Sequence, residues 1–356
     1  MRVLLTGAGG FVGSNLLDHF CSDERGDTPI AARLGLDRSF PRGLGAKAQN
    51  AGWALMHGRL EVAQEDVADA ERILYCLRSW KPTHAVHLAA ETSVDTSIVT
   101  PERCLSDNVT ALFSLLEAVR AVSHVQSDDR CEWIKLLYVS TDEIYGASTD
   151  YEPGVAEAKE SQATRPNNPY SATKAAGEAL VRAWNRTYGV PCMILRPCNL
   201  FGPYQDARKL IPRTIQCALH GQKVSVYGSG LQSREWLYVG DFCRAVDVAA
   251  RQWDSGSTYN VGSGIRKTTR KVVGSICRTL DDLLPRSSGG SYFDQVSHVA
   301  DRPGHDSAYA IGSDEFRKKF GWKPTLEYDE GMARTVASYL WHWGYVTAHG
   351  RVGGCE

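Results

Sequence analysis

Short apolar runs alternate with longer amphipathic stretches along the first half of the chain, and few folds accommodate that order. "RVLLTG" (2–7) leads into a glycine turn and a helix from Phe11 to about Cys21. "HAVHLAA" (84–90) lies between helical stretches at Asp69 to Trp80 and Pro101 to Val122. "WIKLLYVS" (133–140) follows, and "PCMILRP" (191–197) comes after a helix that starts near Tyr170. Apolar strands separated by helices predict an α/β protein with a doubly wound, parallel Rossmann-type sheet. On such sheets ligands bind outside the carboxyl ends of the strands. The distinctive polar groups fall at those ends: Gly7, Ala90–Thr92, Thr141–Glu143 and Asn199.

After about residue 196 proline and glycine become denser and the strands shorten, as in "KVSVYG" and "STYNVG". This predicts a cofactor domain over 1–196 and a smaller substrate lobe over 197–356, with the binding cleft between them. The segment 234–250, "REWLYVGDFCRAVDVAA", has the pattern of a strand and helix that could return to the first sheet. Residues 23–52 show no clear period, and 281–300 read as a variable loop.

The chain has 356 residues, 43% hydrophobic and 23% charged, enough for a sizeable core. A net charge of −1 gives no reason to expect nucleic acid or an anionic membrane as partner. No apolar run reaches the length of a membrane span, and with a strand at its start no secretory leader is expected. The ten cysteines are scattered without a CxxC pair, and His305 has no second histidine at ligand spacing. Reduced core thiols, no metal and a cytoplasmic location are therefore expected.

"TGAGGFVGS" (6–14) places Gly7, Gly10 and Gly13 three apart, with Phe11 and Val12 opening the helix. Glycine lets backbone approach a pyrophosphate, and the helix N-terminus faces that anion with free N–H groups. The spacing differs from GxGxxG, and a structural turn is the alternative. An acid for the adenosine ribose should end the second strand; Asp37 is the candidate, and a surface acid is the other reading. Asp66 and Val67 fall near the next strand end, on the adenine side, while Leu88, Ala89, Ala90 and Thr92 follow "HAVH" toward the cofactor.

"NPYSATKAAGEAL" (168–180) sets Tyr170 and Lys174 one helical turn apart. A neighbouring ammonium, and a positively charged nicotinamide if one is bound, lowers a phenol pKa, so that the tyrosine can take a proton from a sugar hydroxyl as hydride leaves the same carbon. "YVSTDEIYG" (138–146) then poses a chemical question, because it sets two acids, Asp142 and Glu143, side by side at the mouth of an apolar strand. One answer is a turn cap beside an exposed acid; the other is acid–base chemistry.

These motifs, with "HLAAETSVDTSI", "GPYQDARKLIP", "VYGSGLQSREWLYVGD", "YNVGS" and "DRPGHDSAYAI", resemble the extended short-chain dehydrogenase/reductase family and, within it, the nucleotide-sugar 4,6-dehydratases acting on dTDP-glucose. The resemblance spans nearly the whole chain, and the Thr-Asp-Glu triplet separates it from epimerases and decarboxylases. It implies NAD as cofactor and a sequence of C4 oxidation, C5–C6 elimination of water and C6 reduction. Tyr170 with Lys174 would take the O4 proton, Thr141 would hold O4, Glu143 would work at C5 and Asp142 would protonate the leaving O6. It also implies that Asn199, Lys209, Leu210, Tyr227, Arg234 and Arg302 contact the sugar nucleotide, and that the protein forms a homodimer through helices containing 101–122 and 170–187.

Ser93 and Thr96 stand where relatives usually have His and Arg, Leu200 where a second Asn is common, and Ile265 where an Asn often lies near the diphosphate. Residues 23–65 carry extra length. These departures leave open a UDP-, GDP- or CDP-linked or N-acetylated sugar. A 4-epimerase would use Tyr170 but neither acid, and an NAD-sensing binding module would need none of the proton-transfer groups.

Overall fold

The computed structural model describes residues 1–22, 32–38, 60–125, 133–151, 156–301, 306–347 and 350–351. Numbered in chain order, the elements of the first half are β1 (Arg2–Thr6), α1 (Phe11–Ser22), β2 (Ala32–Asp37), β3 (Leu60–Gln64), α2 (Ala70–Trp80), β4 (His84–His87), α3 (Val94–Val99), α4 (Pro101–Leu105), α5 (Ala111–Val125), β5 (Lys135–Val139), α6 (Pro169–Tyr188) and β6 (Cys192–Pro197). The second half adds β7 (Asn199–Phe201), α7 (Leu210–Leu219), β8 (Val224–Tyr227), β9 (Ser233–Tyr238), α8 (Val239–Arg251), β10 (Thr258–Val261), β11 (Arg266–Thr268), α9 (Thr269–Leu283), β12 (Val296–Val299), α10 (Asp314–Phe320) and α11 (Tyr328–His342).

Seven strands form one parallel sheet in the order β10-β6-β5-β4-β1-β2-β3, as the βαβ alternation predicts. Side chains alternate between its faces. Leu4, Ala85, Leu136 and Ile194 pack into one core with α2 and α5, while Leu5, Val86, Leu137 and Leu195 face α1 and α8. The strand order turns back between β1 and β4, which puts the switch point beside the glycine turn.

The helix ends follow from their residues. Asp69 caps α2, accepting from the Arg72 amide at 3.1 Å. Asn168 and Ser171 form a capping box at α6, Pro169 follows at the first turn, and Gly189 closes the helix with φ +73°. The expected helix over 101–122 is α4 and α5 joined by a π-helical turn, Ser106–Thr110.

A three-stranded sheet, β11-β9-β7, and the parallel pair β8–β12 lie outside the large sheet, next to a core built from α7, α9 and α11. The segment 234–250 divides: β9 belongs to the three-stranded sheet, whereas α8 packs on α1 against the large one. Thr258–Val261 supplies the large sheet's last strand. The stretch 281–300 is not wholly a loop, because Val296–Val299 pairs with Val224–Tyr227. Its short polar-apolar alternation was hidden beside "SSGG". No helix among the described residues is long and apolar enough to cross a membrane.

Candidate active site

One cleft of about 1000 Å³ runs across the carboxyl ends of the large sheet and under the second lobe. At one end are Gly7, Gly10, Phe11, Val12 and Gly13, with Asp37, Asp66 and Val67 beside them. Gly7 has φ +70°, and a Cβ there would lie 2.7 Å from the Ala89 amide nitrogen. A Cβ on Gly13 would come within 2.1 Å of the Gly7 carbonyl oxygen, so only glycine lets α1 start this close to β1. Asp37 ends β2 and accepts the Gly9 N–H at 3.0 Å, which fixes its carboxylate against the glycine turn. Leu88, Ala89, Ala90 and Thr92 form the next wall. The geometry suits a dinucleotide: backbone can approach a pyrophosphate, and an acid sits at ribose position.

In the middle of the cleft, β5 ends at Val139 and the chain turns through a 3-10 segment, Asp142–Tyr145. Thr141 caps it, accepting the Glu143 amide at 3.3 Å, and its hydroxyl donates to Asp142 Oδ1 at 3.3 Å. Asp142 is 2% exposed, and its Oδ2 has no hydrogen-bond partner among the described residues. Burial, then the charges of Glu143 and Glu235, push its pKa well above the ordinary carboxylate range. Glu143 is only half-buried, and the Asn168 side-chain amide reaches its Oε2 at 3.4 Å. Two neighbouring acids thus occupy unlike environments.

Tyr170 and Lys174 come from the first turns of α6, facing this pair. The Lys174 ammonium donates to the Val139 carbonyl at 2.6 Å and lies 4.5 Å from the centre of the Tyr138 ring. Burial lowers its pKa to about 8. The Tyr170 phenol, expected from the sequence to be lowered, is instead raised in the free protein by burial and then by the charge of Glu143, with a Thr141 hydrogen bond pulling the other way. The ammonium is turned toward the strand carbonyl, and burial outweighs it.

Among the sugar-nucleotide candidates, Asn199, Lys209, Leu210, Tyr227 and Arg234 all line the far half of the cleft. Arg302 lies outside the described residues. Lys209 spans the lobes, donating to the Thr92 carbonyl at 2.7 Å. Arg234 donates to the carbonyls of Ser233 and Asp306 at 2.8 and 3.0 Å, and its guanidinium lies 4.3 Å from the Tyr309 ring centre. Asn199 Oδ1 and Trp236 Nε1 are buried without hydrogen-bond partners among the described residues. Both face a cleft, where a ligand could satisfy them. Ser93, Thr96 and Leu200 line the cleft; Ile265 does not. Thr96 receives a hydrogen bond from Arg208 at 3.3 Å, so the guanidinium near this helix comes from the opposite lobe.

Sequence reasoning missed Asn168, Asp306 and Tyr309. An N-cap asparagine directly before Pro-Tyr was a usable signal for the first. The other two act through distant partners, which no local pattern reveals.

A Rossmann sheet bearing TGxxGxxG after β1 and YxxxK on α6, with a second lobe over the strand ends, defines the extended short-chain dehydrogenase/reductase class. Residues 4–335 match the family described as GDP-mannose 4,6 dehydratase, and the chain belongs to that family. It is 35% identical over 345 residues to the dTDP-glucose 4,6-dehydratase of Salmonella typhimurium, covering 96% of this chain and 93% of the relative. The crystal structure of DesIV, a dTDP-glucose 4,6-dehydratase from Streptomyces venezuelae with NAD bound, superposes with a TM-score of 0.82 at 31% identity over 95% of this chain and 97% of that one. A Thermus thermophilus UDP-glucose 4-epimerase in complex with NAD follows at 0.77 and 27%, over 95% and 99%.

The burial of Asp142 has a measurable consequence. A carboxyl whose folded pKa is raised above its unfolded value of 3.8 costs stability increasingly as pH climbs between the two. Asn is isosteric with the protonated acid and carries no such cost. Asp142→Asn should melt at or above the wild-type temperature at pH 6, with the gap widening toward pH 8. A melting point several degrees below wild type at both pH values would show that Asp142 is ionised in the fold.

Proposed function

We propose that the protein is an NAD-dependent hydro-lyase that converts dTDP-glucose to its 4-keto-6-deoxy sugar. The observation that carries the reading is the Thr141–Asp142–Glu143 turn, with one acid buried and raised and the other open to the cleft beside Tyr170. A 4-epimerase has no work for the two acids. The full-length identity to dTDP-glucose 4,6-dehydratases favours the same nucleotide.

The domain of residues 1–196, to which α8 and β10 return, holds the cofactor, and the remainder from 197 onward holds the sugar nucleotide. Gly7, Gly10 and Gly13 admit the pyrophosphate; Asp37 takes the ribose, with Asp66 and Val67 at the adenine. Bound there, NAD supplies hydride abstraction at C4 and its return at C6. Thr141 hydrogen-bonds O4 and Tyr170 accepts its proton, the positive charge of a bound nicotinamide, with that of Lys174, favouring the phenolate against burial. Once C4 is a ketone, the C5 hydrogen becomes acidic, and Glu143 removes it. Asp142, kept protonated by burial, gives its proton to O6, so the C6–O6 bond breaks and water leaves. Glu143 then returns a proton to C5. The proton taken from O4 balances the one Asp142 gives up, and the cycle consumes no cofactor.

The protein acts as a homodimer in this reading. Leu105, Phe113 and Tyr188 are half-exposed on α4, α5 and the end of α6, and Phe113, Trp184 and Tyr188 form one aromatic ridge. Apolar ridges on paired helices suit a helix-bundle interface. Sedimentation equilibrium should give twice the 39.1 kDa chain mass, and a monomer at micromolar concentration would contradict it. The buried described cysteines, none of them in a disulfide, support a cytoplasmic location.

Incubation with NAD⁺ and, separately, dTDP-, UDP-, GDP- and CDP-glucose should give loss of one water with dTDP-glucose by mass spectrometry. Glu143→Gln should lower turnover about a thousandfold, within the span of general-base effects, while reduced-nicotinamide absorbance still appears. Near-normal turnover of this variant would remove Glu143 from the mechanism, and water loss only with another nucleotide would overturn the substrate assignment.

A further inference from the structure

The adenosine end of the cleft carries two opposed signals. Asp37 ends β2, where a carboxylate suits ribose hydroxyls and repels a 2′-phosphate. The next residue is Arg38, the type of side chain that accepts a 2′-phosphate. What becomes of that arginine decides which signal prevails.

Arg38 is engaged across the cleft. Its Nη1 and Nη2 donate to Asp107 Oδ1 and Oδ2 at 2.8 and 2.7 Å, a two-pronged pairing that fixes the guanidinium plane. Asp66 adds a second carboxylate at 3.9 Å. The Asp107 side chain is only 10% exposed, against 48% for Arg38, so the acid is the anchored partner. Its anchor is unusual: Asp107 lies in the π-helical turn Ser106–Thr110, a geometry that shifts side-chain direction relative to an α-helix and concentrates at functional sites. Asn108 in the same turn clamps it to the cleft wall, accepting the Glu91 amide at 2.8 Å and donating to the Glu91 carbonyl at 3.0 Å. Arg103 approaches Asp107 from the outer side at 3.6 Å and does not displace the Arg38 pair. Arg38, Asp66 and Asp107 all line the cleft together with the glycine turn.

We propose that Asp107 is a specificity-determining residue: by holding Arg38 across the cleft, it withholds the guanidinium from a 2′-phosphate and makes the site select NAD over NADP. The inference rests on the reading that the glycine-turn end receives the adenosine half of the cofactor. With Asp107 in place, a 2′-phosphate meets Asp37 and Asp66 and finds Arg38 already paired. Without it, the nearest cation is freed toward that phosphate.

Calorimetric titration of the full chain with NAD⁺, NADP⁺ and adenosine 2′,5′-bisphosphate tests this directly. Asp107→Asn should tighten NADP⁺ and the bisphosphate about tenfold, the scale of one charge-assisted contact, and leave NAD⁺ within about twofold. Adding Arg38→Ala to that variant should erase the gain. Asp107→Ser serves the same purpose if the Asn variant melts early. An unchanged ratio of NADP⁺ to NAD⁺ affinity, or a gain that survives loss of Arg38, overturns the proposal. A wild-type chain that binds NADP⁺ as tightly as NAD⁺ also overturns it, whereas one that binds neither removes the cofactor reading beneath it.

Discussion

The arrangement around the cleft depends on a buried ion pair between β6 and α6. Arg196, 1% exposed, donates Nε and Nη2 to the two oxygens of fully buried Glu178 at 2.9 and 2.6 Å. Its Nη1 also donates to the Tyr145 hydroxyl, which in turn donates a hydrogen bond to Asn260 Oδ1 on β10 at 2.8 Å. Tyr145 closes the turn that begins at Asp142, and Glu178 sits on the helix that carries Tyr170 and Lys174. The turn that carries Asp142 and the helix that carries Tyr170 are therefore bolted to one another from behind. Removing Glu178 would leave the buried Arg196 guanidinium without its carboxylate, at a cost of about 3–5 kcal/mol. Such a cost explains why an expensive polar network is kept in an otherwise apolar sheet.

That scaffold gives adjacent carboxylates different environments. Asp142 is buried in the cleft wall, where burial and neighbouring negative charge raise its pKa. Glu143 points into the cleft, next to the Asn168 amide. A single sheet-to-turn junction thus sets a buried, raised carboxyl beside a half-buried one. The raised Tyr170 phenol shows the same burial acting on a third group, so its acidity must come from what binds beside it rather than from the free fold.

Much of this architecture was legible in the sequence because it rests on short-range patterns. The buried strands are near-continuous apolar runs, and the glycine turn, the Thr-Asp-Glu triplet and the Tyr–Lys spacing are each local. What was not legible depends on pairing at a distance. Val296–Val299 becomes a strand only because Val224–Tyr227 offers an edge. The π-helical turn at Ser106–Thr110 is invisible to a helical period, and the engagement of Arg38 by Asp107 joins residues 69 positions apart in the chain. Nor does spacing along α6 show that the Lys174 ammonium is received by the Val139 carbonyl.

The central claim is that one bound sugar is oxidised, dehydrated and reduced at the Asp142–Glu143 turn without leaving the site. Turnover of dTDP-glucose carrying deuterium at C4, read by mass spectrometry and proton NMR of the product, tests it most directly. The account predicts loss of one water with the label moved from C4 to C6 of the same molecule. Label retained at C4, or an isomer of unchanged mass, would contradict it.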